Sequence, residues 1–142
     1  MSEPADQRLY FLLQRAAHQL RTAADRRCLA AAGITTAQLG ALYAVRDRAG
    51  LTQAELARAL GLRESAVTGL VRRLTAAGLL TRNPHPREHR AVVLELTAAG
   101  SAALTAAQPE VDRFNTELRT LLGDTEFTHT SETLHRLTLW DA

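Results

Sequence analysis

Apolar and polar positions alternate along this chain in two periods, and the change of period marks its organisation. From about Arg8 to Ala32 the residues Leu9, Leu12, Leu13, Ala16, Leu20, Ala24 and Cys28 recur at helical spacing, which predicts one long amphipathic helix. At 1.5 Å rise per residue it would extend about 37 Å, more than a small lobe can cover, so part of it is expected to meet another subunit. Gly33 ends that run. Thr35 and Gln38 then form a capping box with Ile34 and Leu39 as its staple, opening a helix that turns Leu39, Leu42 and Tyr43 inward and stops near Gly50. Arg46, Asp47 and Arg48 read as its solvated face. Met1 to Gln7 carry no periodic apolar face and are expected to fray.

The stretch from Leu51 to Leu96 changes character. Thr52 and Glu55 make a second capping box, each predicted to satisfy a free backbone amide, with Leu51 stapled on Leu56 and the helix ending near Leu60. Gly61 supplies a left-handed turn. A further helix runs from Glu64 until Gly78 stops it, with Val67, Leu70, Val71 and Leu74 facing inward and Ser65, Thr68, Arg72 and Arg73 outside that stripe. The period then falls to two. Leu79 to Arg82 and Arg90 to Leu96 read as paired strands, the second with Val92, Leu94 and Leu96 on one face. Asn83 to His89, with two prolines and no apolar side chain, should project as a hairpin tip.

Helical spacing returns after Thr97, which can cap a long helix. Leu104, Ala107, Val111, Phe114, Leu118 and Leu121 alternate in steps of three and four, the pattern of a helix packed lengthwise on another. Pro109 removes one hydrogen bond there and should bend it. Gly123 ends this helix, and Asp124 is placed to cap a last one through Trp140, with Phe127, Leu134 and Leu137 as a narrow stripe. The predicted class is mainly α with a small β-hairpin wing.

Two helices joined by a glycine turn and followed by a basic-tipped ribbon form a winged helix-turn-helix. In such an arrangement, hydroxyls and guanidiniums on the second helix can enter a major groove and touch base edges. The candidate DNA contacts are Thr52 and Gln53 on the first helix, Arg63, Ser65, Thr68, Arg72 and Arg73 on the second, and Arg87, His89 and Arg90 on the wing, which would meet a minor groove or flanking phosphates. By itself the pair Arg72 and Arg73 is what any solvated helix face carries; the wing at the right distance gives it meaning. Arg63 stands where Ser, Thr or Asp usually caps a helix, a substitution that costs about 1 kcal/mol and leaves open whether it is kept for DNA or merely tolerated.

The set Leu56-Ala57, Gly61, Ser65-Ala66-Val67-Thr68, Leu70 to Leu74, Gly78-Leu79-Leu80 and Arg90 to Gly100, in this order and spacing, resembles the MarR family of winged helix-turn-helix regulators. The resemblance implies a two-fold homodimer in which helices 8–32 and 98–142 intertwine, around a DNA-binding lobe at 35–96. It further implies a double-stranded, pseudo-palindromic operator, a small aromatic or phenolic effector in a cleft between dimer helices and lobe, and a repressor responsive to that ligand or to oxidants. Arg15, His18 and Tyr43 could serve the ligand, or be ordinary surface and interface residues. Cys28 could sense oxidant as some relatives do through a first-helix cysteine, or simply pack. The wing departs from the family pattern: His85, Glu88, His89 and Arg90 stand where an Asp-rich tip usually leads into paired arginines, with Glu88 left to orient Arg90. Gly69 replaces a basic residue often found there. His85 and His89 without further ligands are a weak metal site.

Composition narrows the alternatives. Of 142 residues 46% are apolar but only 4% aromatic, so Leu, Val and Ala must fill the core. One cysteine precludes an internal disulfide framework and suits a reducing compartment, and with no membrane-length apolar run or signal peptide the expected location is the cytoplasm, with no membrane partner. Net charge is +2, but its distribution is uneven. Residues 1–50 and 51–95 each hold seven arginines against four acids, and 96–142 hold three against seven, giving +3, +3 and −4. All 17 basic residues are arginine, whose planar fork suits guanine edges and phosphates, but the coding bias of a GC-rich genome explains the complete absence of lysine better. No glycine-rich phosphate loop, zinc-ligand spacing or nucleophile elbow is present, so no enzyme activity, cofactor or metal is expected. The competing class is a winged-helix protein-interaction module that does not bind DNA.

Overall fold

The computed structural model describes residues 8–141; the expected fraying of Met1 to Gln7 lies outside them. Six helices and three strands follow one another as α1 (Leu9–Ala32), α2 (Thr36–Asp47), β1 (Leu51–Thr52), α3 (Gln53–Leu60), α4 (Glu64–Ala76), β2 (Leu80–Pro84), β3 (Val92–Leu96), α5 (Ala98–Leu122) and α6 (Asp124–Thr138). They divide into two compact units, one running to Ala107 and the other from Gln108 onward.

Local capping signals set the helix boundaries. Thr35 accepts from the Gln38 amide while the Gln38 side chain accepts from the Thr35 amide, the complete reciprocal box, and Ile34 and Leu39 beside it are both buried. At Thr52 the arrangement differs from the one expected. Its hydroxyl accepts from the Glu55 amide at 3.2 Å and donates to the Glu55 carboxylate at 3.0 Å, which also takes Arg48 at 2.6 Å. The carboxylate thus bonds chiefly with the hydroxyl and a guanidinium, with the Thr52 amide a lesser partner. Gly61, at φ 65°, turns the chain sharply between α3 and α4.

The ribbon becomes a three-stranded antiparallel sheet of order β1-β3-β2, with Leu51 opposite Leu94 and Thr52 opposite Val93. This corrects the two-strand expectation, and β3 is therefore central. Both Val93 and Leu94 are buried, although they point to opposite faces, so burial does not follow the Val92, Leu94, Leu96 alternation alone. β2 starts at Leu80 rather than Leu79 and runs through Asn83 and Pro84, which pair with Val93 and Val92, so the tip begins at His85 and Arg90 and Ala91 lie outside β3. Pro84 is tolerated because β2 is an edge strand whose terminal residue needs no N–H on the ladder.

Leu42, Leu51, Leu56, Val67, Val71, Leu74, Leu80 and Leu94 are each under 2% exposed and form the core of the lobe. Burying each such side chain contributes about 1.5–3 kcal/mol. α1 is tied to this lobe by Asp25, whose Oδ1 accepts from the Thr36 hydroxyl at 2.6 Å and the Thr36 amide at 2.8 Å. Those two bonds, with Arg21 nearby, hold the Asp25 carboxyl below its ordinary pKa. The first turns of α5 complete the unit. Thr97 accepts from the Gly100 amide and donates to the Gly78 carbonyl, and a side chain at Gly100 would put its Cβ 2.2 Å from the Leu79 carbonyl oxygen. Only glycine fits there.

In the second unit Pro109 lies inside α5 without ending it. Gly123 takes the cap position of α6 with no side-chain cap, so Asp124 is the first helical residue, 3.7 Å from Arg119, and not the cap expected of it. The Arg119 guanidinium stacks over the Phe127 ring at 4.6 Å. α6 stops at Thr138, two residues short of Trp140, and buries none of its side chains.

Candidate nucleic-acid interface

The two faces of α4 differ completely. Val67, Leu70, Val71 and Leu74 are buried, whereas Ser65, Thr68, Arg72 and Arg73 are exposed, as the spacing predicts. Arg63 occupies the cap position without a side-chain cap bond and is itself exposed. Gln53 at the start of α3 reaches across to this face, its Nε2 donating to the Thr68 hydroxyl at 2.7 Å, while that hydroxyl donates to the Glu64 carbonyl at 2.9 Å. The Thr52 hydroxyl is engaged with Glu55 and serves the start of α3. Its bond and Arg48 hold the Glu55 carboxyl below its ordinary pKa.

At the wing the structure adds what sequence reasoning missed. His85 Nδ1 accepts from the backbone amides of Arg87 and Glu88, both at 3.0 Å, and the His85 amide donates to the Ala91 carbonyl at 2.9 Å. The half-buried ring is therefore an internal cap for the tip rather than a fully solvent-exposed histidine, and Arg87, His89 and Arg90 around it are exposed. Glu88 makes no ion pair with Arg90 among the described residues, so the orienting role considered for it is not seen. Arg82, exposed on the edge strand, lies with Arg90 in the groove of the wing. An arginine at an outward position just before a basic tip was the signal that could have found it.

Ion pairing separates these arginines from four others. Arg46, Arg48, Arg113 and Arg119 pair with Asp47, Glu55, Glu110 and Asp124, whereas Arg63, Arg72, Arg73, Arg82, Arg87 and Arg90, like Arg15, Arg26, Arg58 and Arg136 elsewhere, have no carboxylate partner among the described residues. Charges so placed are free to neutralise phosphates.

Arg15 and His18 are exposed on α1, and Tyr43 is half-buried on α2 with the Arg46 guanidinium 4.8 Å from its ring centre. None of the three lines the cavity of about 500 Å³ between Arg21, Asp25, Thr36, Gly40, Leu60 and Leu62. Cys28 is 5% exposed, the environment of a packing residue. No single helix among the described residues is long and apolar enough to cross a membrane.

Residues 32–91 match the family model described as MarR family. The chain is 33% identical over 114 residues to the HTH-type transcriptional repressor NicR of Pseudomonas putida, covering 76% of this chain and 72% of NicR. It is 31% identical over 134 residues to the transcriptional activatory protein BadR of Rhodopseudomonas palustris, covering 92% and 74%. In structure it is similar to a mutant of Escherichia coli MarR complexed with operator DNA, with a TM-score of 0.77 and 27% identity over 94% of this chain and 99% of that one. The relatives are regulators and not enzymes, and the reading as a protein-interaction module finds no support among them. A capped helix-turn-helix, a histidine-braced wing and this sequence similarity together identify the chain as a member of the MarR family of winged helix-turn-helix transcriptional regulators.

Proposed function

We propose that the protein works in the cytoplasm as a homodimer that grips a pseudo-palindromic operator and represses transcription until a small effector binds. In this reading α1 and residues 98–142 form the dimer, and residues 35–96 form the DNA-binding lobe. Two α4 helices would enter successive major grooves about 34 Å apart. Ser65 and Thr68 would meet base edges, Arg63, Arg72 and Arg73 the bases or phosphates bordering the groove, and Arg87, His89, Arg90 and Arg82 the flanking backbone. Thr52 and Gln53 would sit near the backbone that α3 crosses.

The observation that carries the reading is the two-faced α4, apolar and buried behind, hydroxylated and arginine-rich in front, beside a wing whose arginines have no carboxylate partner among the described residues. Binding of labelled duplex DNA across a salt series tests it. Affinity should fall steeply with salt, and Arg72→Ala and Arg87→Ala should each reduce the logarithmic slope by about 1 if they contact phosphates. A clean dimer that binds no duplex at any salt concentration would overturn the reading.

For the effector, a small aromatic or phenolic acid would be met by the Arg15 guanidinium, His18 and Tyr43. The burial of Cys28 favours such a ligand over an oxidant as the signal. Calorimetry with a panel of aromatic acids tests this, and binding unchanged by Arg15→Ala would remove Arg15 from the site.

A further inference from the structure

The hydrogen bonds that converge on Thr68 fix more than its position. A threonine hydroxyl has one proton to give and two lone pairs to receive with. Here the proton goes to the Glu64 carbonyl at 2.9 Å, and one lone pair is taken by Gln53 Nε2 at 2.7 Å. What remains on the exposed side chain is a single lone pair and the methyl group. The same accounting fixes the Gln53 amide: since the Thr68 proton is committed to Glu64, only the NH2 side of Gln53 can face Thr68. The Gln53 carbonyl and one N–H are left over.

We propose that Gln53 is a positioning residue that holds Thr68 as an acceptor-plus-methyl reader, so that α4 selects an A·T pair at one position in each half-site. The inference rests on the reading that α4 lies in the major groove. There, adenine offers an N6 amino donor and thymine a C5 methyl, whereas guanine offers two acceptors, N7 and O6. A hydroxyl without a free proton gives nothing to guanine. Cytosine can donate from N4, but its pair has no methyl for Thr68 to touch. A·T alone supplies both a donor and a methyl. The bond from Gln53 also removes rotamer freedom before binding, so less is lost when the reader docks. With α3 crossing the DNA backbone, the leftover Gln53 N–H is available to a phosphate.

The test uses the full chain and a pool of duplexes with randomised central base pairs. Wild-type protein should enrich A·T at one half-site position, and replacing that thymine by deoxyuridine, which removes only the methyl, should weaken binding about fourfold. Thr68→Ser keeps both hydrogen bonds and lacks the methyl, so it should be indifferent to the replacement. Gln53→Ala should lose enrichment at that one position while the other half-site positions keep theirs. If wild type and Gln53→Ala enrich the same pairs equally, or if deoxyuridine affects wild type and Thr68→Ser alike, the proposal is wrong although the protein binds DNA. If no pool member is bound at any salt concentration, the reading of α4 as the DNA-binding helix falls with it.

Discussion

The winged lobe and the C-terminal helical segment obey opposite rules of burial. The lobe puts eight large aliphatic side chains from six elements below 2% exposure and, among the described residues, leaves only Leu62, at 43%, as an exposed large apolar side chain. From Gln108 onward no large apolar side chain is fully buried: Phe114, Leu118 and Phe127 are half-buried, while Leu121 is 78% exposed, Trp140 74% and Leu139 70%, with Leu122, Leu134 and Leu137 also open. The lobe therefore folds against itself. The terminal segment has apolar surface that a single chain does not use, which supports its assignment to the dimer interface.

Substitutions should separate the two regions. The largest effect is expected at the lobe core: Leu56→Ala removes a fully buried side chain and should cost about 2–5 kcal/mol, read as a lower thermal midpoint together with loss of DNA binding. Next comes the triple change Leu134→Ser, Leu137→Ser and Trp140→Ser. It should weaken self-association about tenfold or more by sedimentation equilibrium while leaving the lobe folded. If that variant remains a dimer at unchanged concentration, the contrast between the regions has another cause.

A smaller effect concerns the clasp between α1 and α2. The pKa of Asp25 is lowered in the folded protein, so its contribution is present above the ordinary carboxylate range and is lost as pH falls through the folded value. The stability difference between wild type and Asp25→Ala should therefore shrink on acidification below about pH 4. A difference that stays constant down to pH 2 would show that the carboxylate charge is not what closes the clasp. The smallest effect is expected at Cys28, where 5% exposure predicts that peroxide leaves DNA binding unchanged in wild type and Cys28→Ser alike. A response in wild type that Cys28→Ser abolishes would restore the sensing role.

The helices were legible because their signals are local. Capping at Thr35 and Thr52, the turn at Gly61 and the stripe Val67, Leu70, Val71, Leu74 each depend on residues within a few positions of one another, and physical chemistry at that range reads directly from the chain. Where a signal needed geometry, it misled. Asp124 looks like a cap, yet Gly123 takes that place, and β3 buries Val93 as well as Leu94, with β1 joining it from 41 residues earlier in the chain.

The candidate site divides the same way. By itself the sequence determined which residues of α4 face outward and that a basic tip follows at wing distance, since helical and strand periods alone decide which side chains share a face. Only the tertiary structure decided that Gln53 grips Thr68, that Asp25 holds Thr36 and that the His85 ring braces the wing. A hydrogen bond depends on distance and direction to a few tenths of an ångström, and for residues brought together by a turn or by packing that information exists only once the chain has closed.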